Sequence, residues 1–317
     1  MAYKKYLKSL LSVAVVAVFI LFFYREFRAN WESVRSFPLQ INWGYIVLGI
    51  FMMIANYLCT TLSWHLGINY FDNQKKLKFT QSIALVNISQ LGKYIPGKLW
   101  SYVFQIYWLA SKGVPKTTAL YLNAMTAVLP VLVSLLMGSF LLIMCYDWHH
   151  LQTGLTILIC LLIIVNLLIF NRNIMKLFVD MVSRISGQKF VFRQLSTSRI
   201  LSMELFYIIG AFFWGLAGCF IAMGMGINLN ISKIISISSA MLLGDVIGFL
   251  ILIVPGGLGV REGTMYLILR NADGIQFALI FPMIIRLITL IADLIMGAVS
   301  VLIIGRKKYF PSVKEIK

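Results

Sequence analysis

The sequence predicts an all-α polytopic membrane protein. Six spanning helices and two Pro-Gly-broken helical hairpins are expected, arranged as an inverted repeat. Three observations predict it. Of the 317 residues, 60% are hydrophobic and 12% charged, with a mean hydropathy of +0.87, which leaves too little charge to cover a soluble domain of this length. The apolar residues fall into long runs, most of them near the roughly 20 residues that cross hydrocarbon. Two runs are too long for one helix, and each is broken by Pro-Gly beside charged residues, at Ile95-Pro96-Gly97-Lys98-Leu99 and at Val254-Pro255-Gly256-Gly257-Leu258.

Taken in order, the runs are Leu7–Tyr24, Trp43–Leu66, Phe79–Ser111, Thr117–Tyr146, Leu151–Phe170, Leu201–Met225, Ile234–Arg270 and Ile275–Ile304. The first follows Lys4, Lys5 and Lys8 and has no small-residue cleavage site after it, so it reads as a retained helix and not a removed signal peptide. The third and seventh contain the Pro-Gly breaks and are expected to enter and leave on one side. The other six are single crossings. Cys59, Cys145, Cys160 and Cys219 lie in apolar stretches with no CxxC pair, and read as buried small hydrophobes. No metal site or cofactor is expected.

Basic residues test the layout. With the N-terminus inside, nineteen of the 28 Lys and Arg fall in cytoplasmic segments, the longest being Asn171–Arg199. Five (Arg25, Arg28, Arg35, Lys233 and Arg270) fall outside, and four (Lys93, Lys98, Arg261 and Arg286) fall within membrane segments. That asymmetry satisfies the positive-inside rule. It places both termini in the cytoplasm, with Trp148 and Lys233 outside. Reading either long run as one crossing would move every later basic loop outside. The net charge of +17 follows the membrane side and gives no support to nucleic-acid binding.

The layout divides into halves, 1–150 and 151–317, each with two helices, a broken hairpin and a further helix. Three crossings per half reverse the orientation, the pattern with which transporters build a midplane site. A pair of ordinary Pro kinks is the plainer alternative. Charges at membrane depth are costly and suggest function. Around the first break lie Asn87, Ser89, Gln90 and Lys93, then Lys98, Ser101 and Gln105 on one helical face. Lys93 and Lys98 either hold an anionic headgroup or snorkel to the cytoplasmic surface.

Around the second break, Asp245 precedes a run in which Gly256, Gly257 and Gly259 suit positive φ and an anion nest. Arg261 and Glu262 follow, either as site residues or as ion pairs that pin the hairpin. The last helix carries Arg286, Thr289, Asp293, Gly297 and Ser300 on one stripe. Arg286 and Asp293 lie about 10 Å apart along that helix, so each must meet another segment. Asp245 and Glu262 are candidate partners for Arg286. The fourth run carries Asn123, Thr126, Pro130 and Ser134 on a matching stripe.

The stretches Val254-Pro255-Gly256-Gly257-Leu258-Gly259-Val260-Arg261-Glu262-Gly263 and Gly92-Lys93-Tyr94-Ile95-Pro96-Gly97-Lys98 resemble the lysylphosphatidylglycerol synthase transmembrane-region family. In two-part members of that family this region is similar to a flippase for aminoacylated phosphatidylglycerol, and a separate soluble domain makes the lipid. The chain ends at Lys317 without such a domain, so synthase activity is not expected. The resemblance implies one gate at Lys93, Pro96, Gly97 and Lys98, and another at Pro255, Gly256, Gly257, Gly259, Arg261 and Glu262.

The leading expectation is a lipid translocase that moves an anionic phospholipid or polyprenyl-phosphate-linked headgroup through a polar cavity. Lys93, Lys98, Arg261, Arg286, Gln90 and Ser101 are expected to bind the headgroup. Asp245, Glu262 and Asp293 are expected to balance the charge of the empty cavity. Expected partners are anionic membrane lipids; a glycosyltransferase or lipid-modifying enzyme and a second copy of the chain are further candidates. The competing readings are a polyprenyl-phosphate-sugar glycosyltransferase, with Glu26 or Glu32 as base, and an accessory lipid-binding scaffold.

Overall fold

The computed structural model describes residues 24–25, 28, 31–35, 40–71, 77–94, 100–145, 149–171, 173, 176–177, 195–251, 254–272 and 274–305. These residues are helical apart from short connections. A five-residue helical segment, Trp31–Arg35, comes first. The longer helices are α1 (Trp43–Phe71), α2 (Phe79–Gln90), α3 (Trp100–Ser111), α4 (Lys116–Cys145) and α5 (His149–Phe170), followed by α6 (Thr197–Gly224), α7 (Ile231–Leu250), α8 (Val260–Ala272) and α9 (Ile275–Gly305).

Six of them, α1, α4, α5, α6, α7 and α9, are long and apolar enough to cross a membrane. Five coincide with crossings expected from the sequence. The expected first crossing, Leu7–Tyr24, lies outside the described residues. The sixth is α7, expected as one leg of a hairpin; its 20 residues make about 30 Å of helix, a full hydrocarbon thickness. Its companion α8 has 13 residues, roughly 20 Å, and α2 and α3 have 12 each, roughly 18 Å. None of these three crosses alone.

Local chemistry explains where several helices begin. Ser196 accepts the Arg199 N–H at the start of α6, and Asn230 accepts the Lys233 N–H at 2.8 Å at the start of α7. At α2 the Gln81 side chain accepts the Lys78 N–H at 2.9 Å. Small residues then decide the close crossings. A Cβ at Gly49 would strike Ile221, one at Gly210 would strike Asn56 and one at Gly224 would strike Ile46, so α1 and α6 run tightly along one another. Gly138 of α4 receives Leu243 of α7, and Gly297 of α9 lies against Leu91 beyond α2.

Helix α5 packs on α4 and leaves Leu161, Ile164 and Leu167 exposed. A row of such residues suits a lipid solvent and not water. Cys160 belongs to this outer face, so it is not the buried hydrophobe expected. Cys59 and Cys219 are buried.

Both Pro-Gly stretches leave the α-helical path as far as they are described. After α2, Leu91–Tyr94 form a 3-10 turn, and Gly92 lies so close to Ser101 that a Cβ would come within 3.0 Å of its backbone nitrogen. Pro96, Gly97 and Lys98 lie outside the described residues. After α7, Pro255–Gly257 form a second 3-10 turn, with φ of 57° at Gly256, 68° at Gly257 and 79° at Gly259. These are left-handed values that β-carbons resist. At Gly257 a Cβ would also meet the backbone of Gly248 at 3.0 Å, which draws the turn onto α7. The two 3-10 turns touch each other.

Candidate functional site

A cavity of about 540 Å³ lies between the two 3-10 turns and helices α1, α4, α6 and α9. Its wall includes Gln90, Lys93, Ser101, Asp245, Gly256, Arg261, Arg286 and Asp293, eight of the residues singled out from sequence. Thr126, Pro130, Ser134 and Thr289 from the two polar stripes line it as well. Pro130 has no N–H to give the carbonyl of Thr126, and both residues face the cavity, where a freed backbone group is tolerated. Gly257, Gly259 and Glu262 are not wall residues, and Pro255 opens the second turn.

Among the described residues, three ion pairs organise the wall. Lys93 Nζ lies 2.7 Å and 2.9 Å from the two carboxylate oxygens of Asp293, tying the first 3-10 turn to α9. Arg286 donates to Glu262 Oε1 at 2.6 Å, and Glu262 Oε2 accepts the Gly259 N–H at 2.6 Å. One buried carboxylate therefore pins α9, the start of α8 and the glycine run together. Arg261 Nη1 stands 3.5 Å from Asp245 Oδ1, a longer contact between α8 and α7. Arg286 and Asp293 thus each meet a different segment, as their spacing required. Neighbouring helical positions point about 100° apart, so Arg261 and Glu262 reach separate partners.

Aromatic rings back two of the cations. The Arg261 guanidinium lies 5.3 Å from the centre of the Trp214 ring, and Lys93 Nζ 5.9 Å from that of Tyr57. Arg261 Nη2 also reaches Thr289 Oγ1 at 3.4 Å, while its buried Nε has no hydrogen-bond partner among the described residues.

The polar residues around the first break divide by role. Gln105 accepts from Trp64 Nε1 at 3.1 Å and donates to Ser89 Oγ at 2.7 Å, clasping α1, α2 and α3. Asn87 donates to the Ile83 carbonyl and to Thr61. These groups satisfy one another inside the protein, as buried polar groups must.

The multi-span helical architecture agrees with what the comparisons find. Residues 9–297 match the family described as Lysylphosphatidylglycerol synthase TM region. The chain belongs to that family. The resemblance carried by the Pro-Gly-Gly-Leu-Gly stretch therefore extends over nearly the whole chain of this multi-span membrane protein, and the family is associated with lipid modification and flippase activity. Comparison with curated proteins found no match.

Sequence reading missed Tyr57 and Trp214, the rings behind the cations. Their one signal was position: both lie mid-helix, away from the interfacial belts where Tyr and Trp are commonest. It also missed Glu204 of α6, a buried carboxylate that accepts a 2.6 Å hydrogen bond from Asn166 of α5.

Proposed function

We propose that this family member is a lipid translocase whose anionic headgroup travels through the cavity while its hydrocarbon tail stays in the bilayer. The observation that carries the reading is the wall itself. Among the described residues, the three cations Lys93, Arg261 and Arg286 face a space of about 540 Å³, large enough for a phosphate-bearing headgroup and enclosed by helices that are apolar outside. In hydrocarbon, ionisable groups at such a position mark a substrate path more often than a scaffold.

An inverted repeat of two broken hairpins, α2–α3 and α7–α8, fits this reading, and two observations support it. Exchanging α1 with α6, α2 with α7, α3 with α8 and α4 with α9 converts each packed helix pair within this set into another packed pair. For example, α4 on α7 becomes α9 on α2, and α3 on α4 becomes α8 on α9. The same sequence interval also separates Pro96 from Pro255 and Gly138 from Gly297, and each of these two glycines sits at one of the exchanged crossings. A site between two such units is accessible in turn from either side when one rocks against the other. Both termini then lie in the cytoplasm, with the halves meeting near residue 150.

Photo-crosslinking tests the path. A phosphatidylglycerol with a diazirine on its glycerol headgroup is reconstituted with the protein, and adducts are mapped by mass spectrometry. Headgroup adducts are expected on cavity residues such as Gln90, Thr126 and Trp214. Adducts confined to outer-face residues such as Leu161 and Leu167 would overturn the proposal.

A further inference from the structure

The three ion pairs of the wall are not equal. The carboxylates of Asp293 and Glu262 are buried, 5% and 8% exposed, and hold their cations at 2.6–2.9 Å. Asp245 is the exception. Its side chain is 56% exposed to the cavity, its distance to Arg261 is 3.5 Å, and it belongs to the wall itself. Arg261 is the reverse: only 10% of its side chain is exposed, it is fixed against Trp214, and its buried Nε has no partner among the described residues. A guanidinium presents its donors as a fork suited to two phosphate oxygens. Here that fork is held in place by a ring and a threonine while its one carboxylate stands loosely in the open.

We propose that Asp245 is a displaceable internal counter-anion, and that it makes the cavity selective for monoanionic phosphodiester headgroups over dianionic phosphate monoesters. The inference rests on the headgroup-path reading and deepens it. In the empty site Asp245 neutralises Arg261. An arriving phosphodiester takes the guanidinium fork, and Asp245, already largely hydrated, is released without a large desolvation change. It nevertheless remains in the wall, within a few ångströms of the bound phosphate. Among the described residues, Lys93 and Arg286 already carry tight carboxylate partners and have no charge to spare. A second negative charge on the ligand therefore meets Asp245 uncompensated, whereas a single charge is balanced by Arg261.

The test compares lipids retained by the purified full-length protein in native mass spectrometry. The probes are dioleoyl phosphatidylglycerol, dioleoyl phosphatidate and dioleoyl phosphatidylcholine, with free glycerol 3-phosphate as a soluble competitor. The wild type is expected to prefer phosphatidylglycerol over both other lipids. Asp245→Asn is expected to raise phosphatidate binding relative to phosphatidylglycerol by roughly tenfold, the scale of one charge contact in a partly open site. Asp245→Ser is expected to do the same, and Arg261→Gln to remove the preference for anionic lipid. An unchanged phosphatidylglycerol-to-phosphatidate ratio in both Asp245 variants would overturn the inference and leave the headgroup path standing. Equal retention of phosphatidylcholine by the wild type would overturn the path itself. Competition by glycerol 3-phosphate as strong as that of the lipid would make the site one for a free phosphate. Unfolding of both Asp245 variants would make that carboxylate a structural group, and counter-anion displacement would be wrong.

Discussion

Glu262 divides its two carboxylate oxygens between Arg286 and the Gly259 N–H. Removing one partner of a buried pair leaves the other charge uncompensated, at about 3–5 kcal/mol. Glu262→Ala is accordingly expected to lower the thermal unfolding midpoint in detergent clearly. Glu262→Gln combined with Arg286→Gln, which removes both charges, is expected to recover most of the loss. A midpoint for Glu262→Ala equal to wild type would remove the clamp from the account. The sequence offered Glu262 and Asp245 as equal partners for Arg286, because helical spacing says which residues share a face but not which helix that face meets. The choice depends on α8 starting beside α9, a tertiary fact. Trp214 and Tyr57 were illegible for a related reason: one aromatic residue within an apolar run looks the same whether it packs in a core or under a cation.

At the scale of elements, the breaks were legible because Pro and Gly act on the backbone locally, whatever the tertiary surroundings. The lengths around them carried a local signal as well, which went unread. The break at Pro255 leaves a long apolar stretch before it, whereas Arg261-Glu262 and Arg270-Asn271 bracket a short one after it, so α7 is long enough to span and α8 is not. On the hairpin reading each pair returns to the side it entered, so the unequal legs leave the proposed sidedness unchanged. Single cysteines at positions 74, 148, 188 and 273, in a chain with its native cysteines replaced, are expected to label from inside, outside, inside and outside respectively. Labelling of position 188 from outside would reverse the second half and end the inverted-repeat reading. That reading rests on the exchange of α2 on α9 for α7 on α4, both of which pack.

For the whole molecule, the membrane class was legible from composition alone, because a bilayer permits few ways to satisfy the backbone. The presence of a cavity was readable in outline from the two polar stripes and the charges beside the breaks. Its charge balance was not, since four cations and three carboxylates in one sequence predict neither pairing nor which pair is loose. The central claim is that the space between the breaks carries headgroups across the bilayer. Its most direct test is lipid movement in proteoliposomes of the full-length chain. Tail-labelled fluorescent phosphatidylglycerol is placed in both leaflets, and its accessibility to external dithionite is followed over time. The wild type is expected to expose inner-leaflet lipid faster than protein-free vesicles. Arg261→Gln and Gly257→Val, both inserted and folded, are expected to fall to the protein-free rate: the first loses the phosphate fork, and the second forces a β-carbon into the backbone of Gly248. Wild-type vesicles no faster than protein-free ones, or both variants as fast as wild type, would contradict the account.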